Sequence, residues 1–385
     1  MKPREIFFAT CAPGVEPILF AEARALRLPR AESQVGGVHF EGTLEDAWRA
    51  NLWLRTAVRV LMRVTRFTAR TESELYDGAR AIDWSRFLRA DGSLVVDART
   101  KESELDHSLF LEQRVKDAIV DRFRDAAGTR PTVNKDDPDA SIHVHLFRDR
   151  CTLLVDTSGG SLHKRGWRRH QGRAPLSETL AAAMVLASGW DQRAPLLDPF
   201  CGSGTIAIEA ALIASRTPPG SFRARFAFER WLGHDASAWQ ALRARDVAAA
   251  SFPKKLTIHG SDANEQAVRD ARENAAAAGF ADALAFDVAR AADFAPKRGW
   301  NAWIVTNLPY GERIGDARAL VGTFSEFGRV LRERCAGFHA AILCGDPQHG
   351  RALGLKPVRE IAWKNGAIDC RLLLVDVPEH VEERR

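Results

Sequence analysis

The sequence predicts an α/β fold: a doubly wound, mostly parallel sheet with a terminal antiparallel hairpin, preceded by two small α+β units. After residue 177, short apolar strands alternate with helices, and strands joined in this way form right-handed crossovers in one sheet. Near the end of the chain, Asn365-Gly366 lies between two strand-like runs and is a strong β-hairpin signal. Before residue 160 no motif for a cofactor or for chemistry is present, so we expect separate units there.

Composition sets the outer limits of the interpretation. The chain has 385 residues, which is too long for one ordinary domain. Its net charge of +5 is compatible with a nucleic-acid partner but does not establish one. The six cysteines show no CxxC spacing, so we expect no zinc or other metal site and no disulfide framework. Because there is no secretory leader and no long apolar span, we expect a soluble cytoplasmic protein without a membrane partner.

The first 160 residues are interpreted as two units. Residues 1–67 have a β-α-β-α-β pattern, with strands predicted at 6–10, 37–42 and 61–67. Residues 68–160 add a strand, an amphipathic helix and a hairpin, predicted at 93–98, 108–124, 141–147 and 151–156. His143 and His145 alternate on one of these strands. With no third ligand nearby, they indicate a half-solvated sheet face rather than a metal pair.

Residues 177–385 are interpreted as one parallel α/β domain. Ser177 is the predicted N-cap of its first helix. The later elements follow in order, with strands at 256–261, 283–287, 303–306 and 340–344, helices at 265–278 and 321–333, and hairpin strands at 358–364 and 368–375. The long stretch 214–255 separates the first strand–helix unit from the next strand and is interpreted as an insertion.

A basic stretch at 161–176 joins the two halves and carries no acid between 157 and 176. Its candidate RNA-binding cations are Lys164, Arg165, Arg168 and Arg169. A charge run with several glycines is typical of a solvated linker, but it is also typical of a segment that contacts phosphates. The residues alone support both interpretations.

The strand–turn–helix at 195–213 is the element around which the second half is organised. It contains the string Asp-Pro-Phe-Cys-Gly-Ser-Gly-Thr at 198–205. Glycines allow unusual backbone angles and close approach of a ligand, here at Gly202 and Gly204. The Gly-x-Gly-x-x-Ala spacing fits the loose dinucleotide fingerprint weakly. The full string resembles motif I of class I S-adenosylmethionine (SAM) methyltransferases, which implies that Asp198 lies near the methionine amino group.

Polar residues follow the other predicted strands. Ligands of open α/β sheets bind at the carboxyl ends of the strands. A carboxylate at Asp262 can accept hydrogen bonds from both ribose hydroxyls, and Asp287 can accept one from the adenine amino group. Each acid taken singly is more typical of a helix N-cap, and a ribose-binding acid would also serve NAD.

The string Asn307-Leu308-Pro309-Tyr310 ends the fourth strand and resembles the Asn/Asp-Pro-Pro-Tyr motif of amino-methyltransferases. An exocyclic base amine is a poor nucleophile, because its lone pair is delocalised into the ring. The Asn307 side chain and the Leu308 carbonyl could accept its two hydrogens, while Pro309 stiffens the turn and Tyr310 stacks on an extruded base. Leu308 replaces the first proline of the motif, but its carbonyl remains available.

Taken together, the chain resembles the THUMP-containing RNA guanine-N2 methyltransferases. Beside the motifs above, the matching strings lie at 8–16, 161–167, 174–181, 226–231 and 307–313. The resemblance covers nearly the whole chain. It implies a ferredoxin-like domain at 1–67, a THUMP RNA-binding domain at 68–160, SAM as the cofactor and structured RNA as the partner. It also implies cofactor contacts from Ser177, Glu178, Thr179, Asp198, Phe200, Gly202, Gly204, Thr205, Asp262, Ala263, Asp287 and Asn307.

The expected activity is methyl transfer to guanine N2, with 23S rRNA as the first candidate substrate and tRNA as the second. The same catalytic motif serves adenine-N6 methylation of DNA, so the target base rests on the resemblance. A catalytically inactive RNA-binding factor is disfavoured by the intact motifs. An NAD oxidoreductase is disfavoured because the chain shows no set of residues suited to hydride transfer. A cysteine-nucleophile methyltransferase would need a cysteine within the fourth-strand motif, and none is present there.

Overall fold

The computed structural model describes residues 4–170, 176–297, 299–309 and 314–379, with the backbone alone over 314–319. These residues form two compact units that interleave along the chain. The N-terminal unit comprises Met1–Thr10, Glu22–Leu162 and Arg223–Ala244, and the C-terminal unit comprises Cys11–Ala21, His163–Phe222 and Arg245–Arg385. Residues 223–244 fall within the domain predicted at 177–385, whereas in the structure they pack within the N-terminal unit.

One mixed sheet forms the core of the N-terminal unit. In the described part of the chain its strands are β1 (Glu5–Thr10), β2 (Glu32–Gln34), β3 (Gly37–Gly42), β4 (Arg59–Thr68), β5 (Ser93–Lys101), β6 (Thr132–Val133), β7 (Ala140–Phe147) and β8 (Arg150–Asp156). They lie in the order β2-β3-β1-β4-β8-β7-β5-β6. The antiparallel pair β4–β8 joins the predicted ferredoxin-like strands to the predicted THUMP strands.

The helices of the N-terminal unit begin at recognisable caps. They are α2 (Leu44–Trp53), α3 (Glu72–Arg80) and α4 (Ser108–Ala127), while α1 (Glu16–Ala25) is shared between the two units. Thr43 forms a capping box with Asp46, and Thr71 forms one with Glu74. Helices α3 and α4 pack together and cover β4 and β5 from one side. The α+β organisation expected for residues 1–160 is confirmed.

Residues 223–244 complete an aromatic cluster in the N-terminal unit. The Phe226 and Phe228 rings stack 5.4 Å apart, and Trp239 meets the Phe228 ring edge-on at 5.1 Å. Trp48, on α2, stacks on Phe228 at 5.8 Å. Such aromatic pairs add to the free energy gained by area burial. This segment therefore belongs structurally to the unit that precedes it in the chain.

The C-terminal unit is built on a second sheet. Its described strands are β9 (Leu196–Asp198), β10 (Ile258–Asp262), β11 (Leu284–Val288), β12 (Trp303–Asn307), β13 (His339–Cys344), β14 (Arg359–Asn365) and β15 (Ile368–Asp376). Their order is β11-β10-β9-β12-β13-β15-β14, in which β15 runs antiparallel to β13 and to β14. The predicted terminal hairpin is present, and Gly366 in its turn has φ +61°.

Helices cover both faces of this sheet. The described helices of this unit are α5 (Glu178–Ala187), α6 (Thr205–Ala214), α8 (Glu265–Ala277), α9 (Ile314–Arg334) and α10 (Pro347–Ala352), whereas most of α7 (Ala236–Ala248) belongs to the N-terminal unit. One apolar cluster contains residues of α5, α6 and α8, and a second contains residues of α9. Neighbouring strand residues such as Leu196 and Leu197 belong to different clusters, as expected when side chains alternate between two buried faces. The predicted doubly wound fold is confirmed.

No helix among the described residues is both long enough and apolar enough to cross a membrane. In the same residues, no group of three or more His, Cys, Asp or Glu side chains is arranged to hold a metal ion.

Candidate cofactor and catalytic site

The glycine turn between β9 and α6 has the backbone that its sequence predicts. Gly202 has φ +51° and Gly204 has φ +80°, both in the left-handed region that favours glycine. A Cβ atom on Gly204 would lie 3.0 Å from the Ala271 side chain, so this position is also closely packed. A Cβ on Gly202 would meet nothing within 4 Å. Gly202 therefore leaves open space beside the turn.

Asp198 ends β9 and is almost completely buried, with 1% of its surface exposed. Its Oδ1 accepts hydrogen bonds from the Thr306 hydroxyl at 2.6 Å and from the Phe200 amide at 3.3 Å. Its Oδ2 is buried and has no partner among the described residues. Burial raises the pKa of Asp198 to about 7, and the nearby Asp262 carboxylate adds to the effect. An unpartnered buried carboxylate oxygen is suited to an ammonium group of a ligand.

Asp262 ends β10 and holds the glycine turn from the neighbouring strand. Its Oδ2 accepts from the Gly202 amide at 3.0 Å, and its Oδ1 accepts from the Asn264 amide at 2.9 Å. An ionised carboxylate offers about four lone-pair sites, so two remain for further donors. The predicted site residue Ala263 follows it directly and is exposed.

Asp287 lies in β11 but points away from the side of the sheet that carries Asp262. In the parallel pair β10–β11, Asp262 is in register with Val288, and Ser261 is in register with Asp287. Residues in register share a face, so the Asp287 and Asp262 side chains leave the sheet on opposite faces. The Asp287 carboxylate is 70% exposed and lies 2.8 Å from His259 Nε2. Val288 is 51% exposed and lies on the Asp262 face. It is a candidate site residue that the sequence analysis did not name and that the strand register identifies.

The fourth-strand motif begins where β12 ends. Asn307 is half-buried, Pro309 is exposed, and Tyr310 lies outside the described residues. Leu308 is fully buried, and its amide donates to the Leu343 carbonyl at 3.0 Å. A proline could not make this bond, so the departure from the family motif gains a hydrogen bond to β13. Thr306, the buried polar residue before Asn307, connects this strand end to Asp198.

Arg168 connects the basic stretch at 161–176 to the glycine turn between β9 and α6. Its Nε donates to Glu178 at 2.7 Å, its Nη1 to Ser203 at 3.3 Å and its Nη2 to Thr205 at 3.0 Å. Glu178 and Thr205, both predicted cofactor contacts, are buried within this network. Ser177 caps α5 as predicted, and its Oγ also lies 3.3 Å from Thr179. The half-buried Phe200, another predicted contact, packs edge-on against Phe327 and Phe324.

Asn274, on α8, is a residue that sequence reasoning missed. Its Oδ1 accepts from the Arg169 and His170 amides at 2.7 and 3.0 Å, and its Nδ2 donates to the Ser203 carbonyl at 3.0 Å. The residue is fully buried, and all these bonds join it to distant parts of the chain. No local pattern in the sequence distinguishes such an asparagine from a solvated one.

The predicted RNA-binding cations divide into two groups. Lys164 and Arg169 are exposed, as an RNA contact requires. Arg165, expected at the RNA, is only 1% exposed and pairs with the buried Glu209 at 3.2 Å. That expectation is corrected, since a guanidinium held inside the core cannot reach a phosphate. Arg168 is half-buried, and its guanidinium donates hydrogen bonds to Glu178, Ser203 and Thr205.

Comparison with known proteins covers both halves of the chain. The RMKL-like methyltransferase domain model matches residues 165–373, the RlmL ferredoxin-like domain model matches 6–61, and the THUMP domain model matches 69–156. A curated relative is the ribosomal RNA large subunit methyltransferase K/L of Methylococcus capsulatus, 41% identical over 96% of this chain. The match takes in 51% of that relative, so the chain spans about half the length of the curated relatives it matches.

Solved structures resemble the whole chain. The crystal structure of SMU.472 complexed with SAH is 32% identical, with a TM-score of 0.88, and the match covers 99% of this chain and 100% of that one. A predicted N6-adenine-specific DNA methylase from Listeria monocytogenes is 33% identical, with a TM-score of 0.88, over 98% of this chain and 97% of that one. These matches confirm the resemblance drawn from the motifs: the chain belongs to the RMKL-like methyltransferase family and carries ferredoxin-like and THUMP domains ahead of its methyltransferase domain.

Proposed function

We propose that this protein is a SAM-dependent RNA methyltransferase that transfers a methyl group to the N2 amine of a guanine in large-subunit rRNA. The observation that carries the proposal is the junction of β9 and β12. These strands are hydrogen-bonded neighbours, and the Thr306 hydroxyl joins the buried Asp198 to the strand that ends in Asn307. A cofactor-binding acid and an amine-binding amide are thereby held at the same sheet edge, where α/β folds bind their ligands.

The cofactor fits the groups around the glycine turn. The unpartnered Asp198 Oδ2 is the proposed acceptor for the methionine ammonium, and the remaining lone pairs of Asp262 are the proposed acceptors for the ribose hydroxyls. Val288, on the Asp262 face, offers an apolar surface to the adenine ring, whereas Asp287, predicted to accept from the adenine amino group, leaves the opposite face of the sheet and is not assigned that contact. When bound, SAM supplies an electrophilic methyl group on a sulfonium centre.

The remaining predicted cofactor residues are assigned through the Arg168 network. Glu178 and Thr205 hold the Arg168 guanidinium, which in turn holds the turn at Ser203. We assign these residues to shaping the cofactor site rather than to direct contact. Ser177, Thr179, Phe200, Gly202, Gly204 and Ala263 complete the proposed set.

The base amine is the group on which Asn307 would act. The Asn307 side-chain oxygen and the Leu308 carbonyl accept its hydrogens, which orients the nitrogen lone pair toward the methyl group. This nitrogen would be held ready for the methyl group that bound SAM supplies, and its extra proton would pass to solvent. The buried Leu308 fixes this carbonyl, because its own amide is bonded to β13. Tyr310 remains the predicted stacking partner of the flipped base.

RNA recognition is assigned to the N-terminal domains at 1–67 and 68–160 and to the exposed cations Lys164 and Arg169. The THUMP match and the rRNA methyltransferase names of the curated relatives support this assignment. A cytoplasmic location follows from such a substrate. A tRNA substrate is the second candidate. DNA adenine is a third, and the printed name of the Listeria structure favours testing it.

The test is methylation of total RNA by the purified chain with labelled SAM, followed by nucleoside analysis of separated rRNA and tRNA. The expected product is N2-methylguanosine in the large rRNA. The same product in tRNA alone would replace the substrate class. Label in N6-methyladenine of a DNA control, with none in RNA, would overturn the proposal.

A further inference from the structure

Four side chains form a straight row across the sheet of the N-terminal unit. Arg66 on β4 is in register with Thr152 on β8, Thr152 is in register with His145 on β7, and His145 is in register with Arg99 on β5. Residues in register share one face of a sheet, and neighbouring strands lie about 4.8 Å apart. The row, here called the basic row, therefore spans about 14 Å from Arg66 to Arg99, or three strand spacings.

The basic row faces away from the core of the unit. Arg66, His145 and Arg99 are exposed, whereas the residues that alternate with them, such as Cys151 and Leu146, are buried. Phe67 follows Arg66 on the opposite face, where a Cβ on Gly78 of α3 would collide with its ring. Helices α3 and α4 thus cover the other side of these strands, and the row lies on the side that the two helices leave uncovered.

A second row lies one pleat away on the same face. It consists of Thr68, Arg150, Phe147 and Lys101, again in register across the four strands. The Arg148 guanidinium lies over the exposed Phe147 ring at 4.9 Å. Cations interleaved with an exposed aromatic ring are typical of surfaces that bind nucleic-acid strands.

The protein neutralises some of these cations and leaves others unpaired. Glu102 lies 3.7 Å from Lys101 and 2.8 Å from Arg148. Within the described residues, no carboxylate lies at ion-pair distance from Arg66, Arg99 or Arg150. Asp97, on the same face as Arg99, pairs with His143 at 3.4 Å. Burial together with the charges of Arg99 and Arg66 lowers the pKa of His145, so the three side chains share one electropositive environment.

We propose that this sheet face, centred on the basic row, binds the phosphate backbone of the substrate RNA; the proposal rests on the RNA methyltransferase function proposed above. Its length suits more than one phosphate, since a nucleic-acid strand carries one charge for each nucleotide. The face adds an RNA contact far along the sequence from Lys164 and Arg169. The chemistry recognised is the sugar–phosphate chain, with Phe147 available for base stacking.

The test compares the variant R66A/R99A with the control R80A/R124A, which removes two exposed arginines from α3 and α4 of the same unit. Binding of an unmodified large-subunit rRNA transcript is measured as a function of salt. If both arginines meet phosphates, the log–log slope should fall by about 1.4 to 1.8 in R66A/R99A alone. R66K/R99K, which keeps the charges, should retain the slope. The KM for RNA should rise at unchanged kcat.

An unchanged slope in R66A/R99A, or an equal fall in the control, would overturn the inference. Wild-type methyl transfer to RNA, measured in parallel, tests the proposed function separately. If transfer is present but the slope is unchanged, the function stands and this surface does not bind RNA. If R66A/R99A bound RNA as the wild type does but lost binding to an acidic protein, the sheet face would be a protein-binding surface, and the inference would also be overturned.

Discussion

The Thr306 hydroxyl donates a 2.6 Å hydrogen bond to Asp198, so the residue before Asn307 holds the acid at the end of β9. Only one oxygen of Asp198 is used in this way, and the other is buried without a partner among the described residues. The carboxyl group is therefore ready for a cation but costly to ionise in its absence.

SAM affinity should depend on pH through Asp198. Its pKa is raised to about 7 in the free protein, and the ammonium group of SAM would favour the ionised form. Affinity should therefore rise with pH, by up to about tenfold per unit below pH 7, and fall again above about pH 8, where the α-ammonium of SAM loses its proton. Calorimetry at pH 5.5, 7 and 8.5 measures this. Asp198→Asn should bind weakly with no such slope, and a wild-type affinity independent of pH would contradict the prediction.

The same group should influence stability with the opposite sign. Because the folded pKa is raised above the ordinary value of 3.8, Asp198 contributes stability that is fully present below pH 3.8 and is lost as pH rises through about 7. Thermal unfolding of the SAM-free wild type and of Asp198→Asn should therefore diverge across this window. Parallel curves would show that Asp198 does not titrate there.

Asp262→Ala should weaken SAM binding by about 1–3 kcal/mol, because it removes an ionised acceptor. It also releases the Gly202 amide, to which the carboxylate is bonded at 3.0 Å. The matched control is Asp287→Ala, whose carboxylate is more exposed and lies near His259, and which should cost less. Calorimetry on both variants decides the point. Equal losses would mean that the two acids contribute alike.

Asn307→Ala should abolish methyl transfer while leaving SAM affinity near that of the wild type. The residue is proposed to hold the base amine, whereas the cofactor is held from β9 and β10. Single-turnover transfer at saturating SAM, alongside calorimetry, separates the two effects. Near-normal transfer by the variant would remove Asn307 from the catalytic role.

Arg165→Ala should destabilise the fold and leave the salt dependence of RNA binding unchanged. Breaking a buried ion pair by removing one partner costs about 3–5 kcal/mol, and Glu209 would be left without its cation. The comparison is Lys164→Ala/Arg169→Ala, in which both residues are exposed and a smaller salt slope is expected. Thermal unfolding and RNA titrations on both variants test this. A flatter slope for Arg165→Ala would restore it to the RNA surface.

Local patterns were enough to predict the glycine turn between β9 and α6. Glycine spacing, a short apolar strand and a following helix specify Gly202 and Gly204, and the ends of strands specify Asp198 and Asn307. These features depend on residues close together in the chain. The terminal hairpin was predictable for the same reason, because Asn365-Gly366 determines its turn.

The remaining features depend on pairs that lie far apart. Arg165 belongs to the core because Glu209 lies opposite it, and Asn274 bonds a segment about 100 residues earlier. A run of cations gives no sign of which member has such a partner. The orientation of Asp287 depends on the register of β10 against β11, and a shift of one residue would have reversed it.

The aromatic cluster formed by residues 223–244 has a consequence for synthesis. The strands of the N-terminal unit have all left the ribosome long before these residues are made, yet Trp48 and Phe87 pack against Phe228 and Trp231. Until residues 223–244 emerge, the apolar side chains of Trp48 and Phe87 lack these partners. Although domains generally fold in the order of their synthesis, the N-terminal unit cannot be completed before residues 223–244, which lie within the methyltransferase part of the sequence, have emerged.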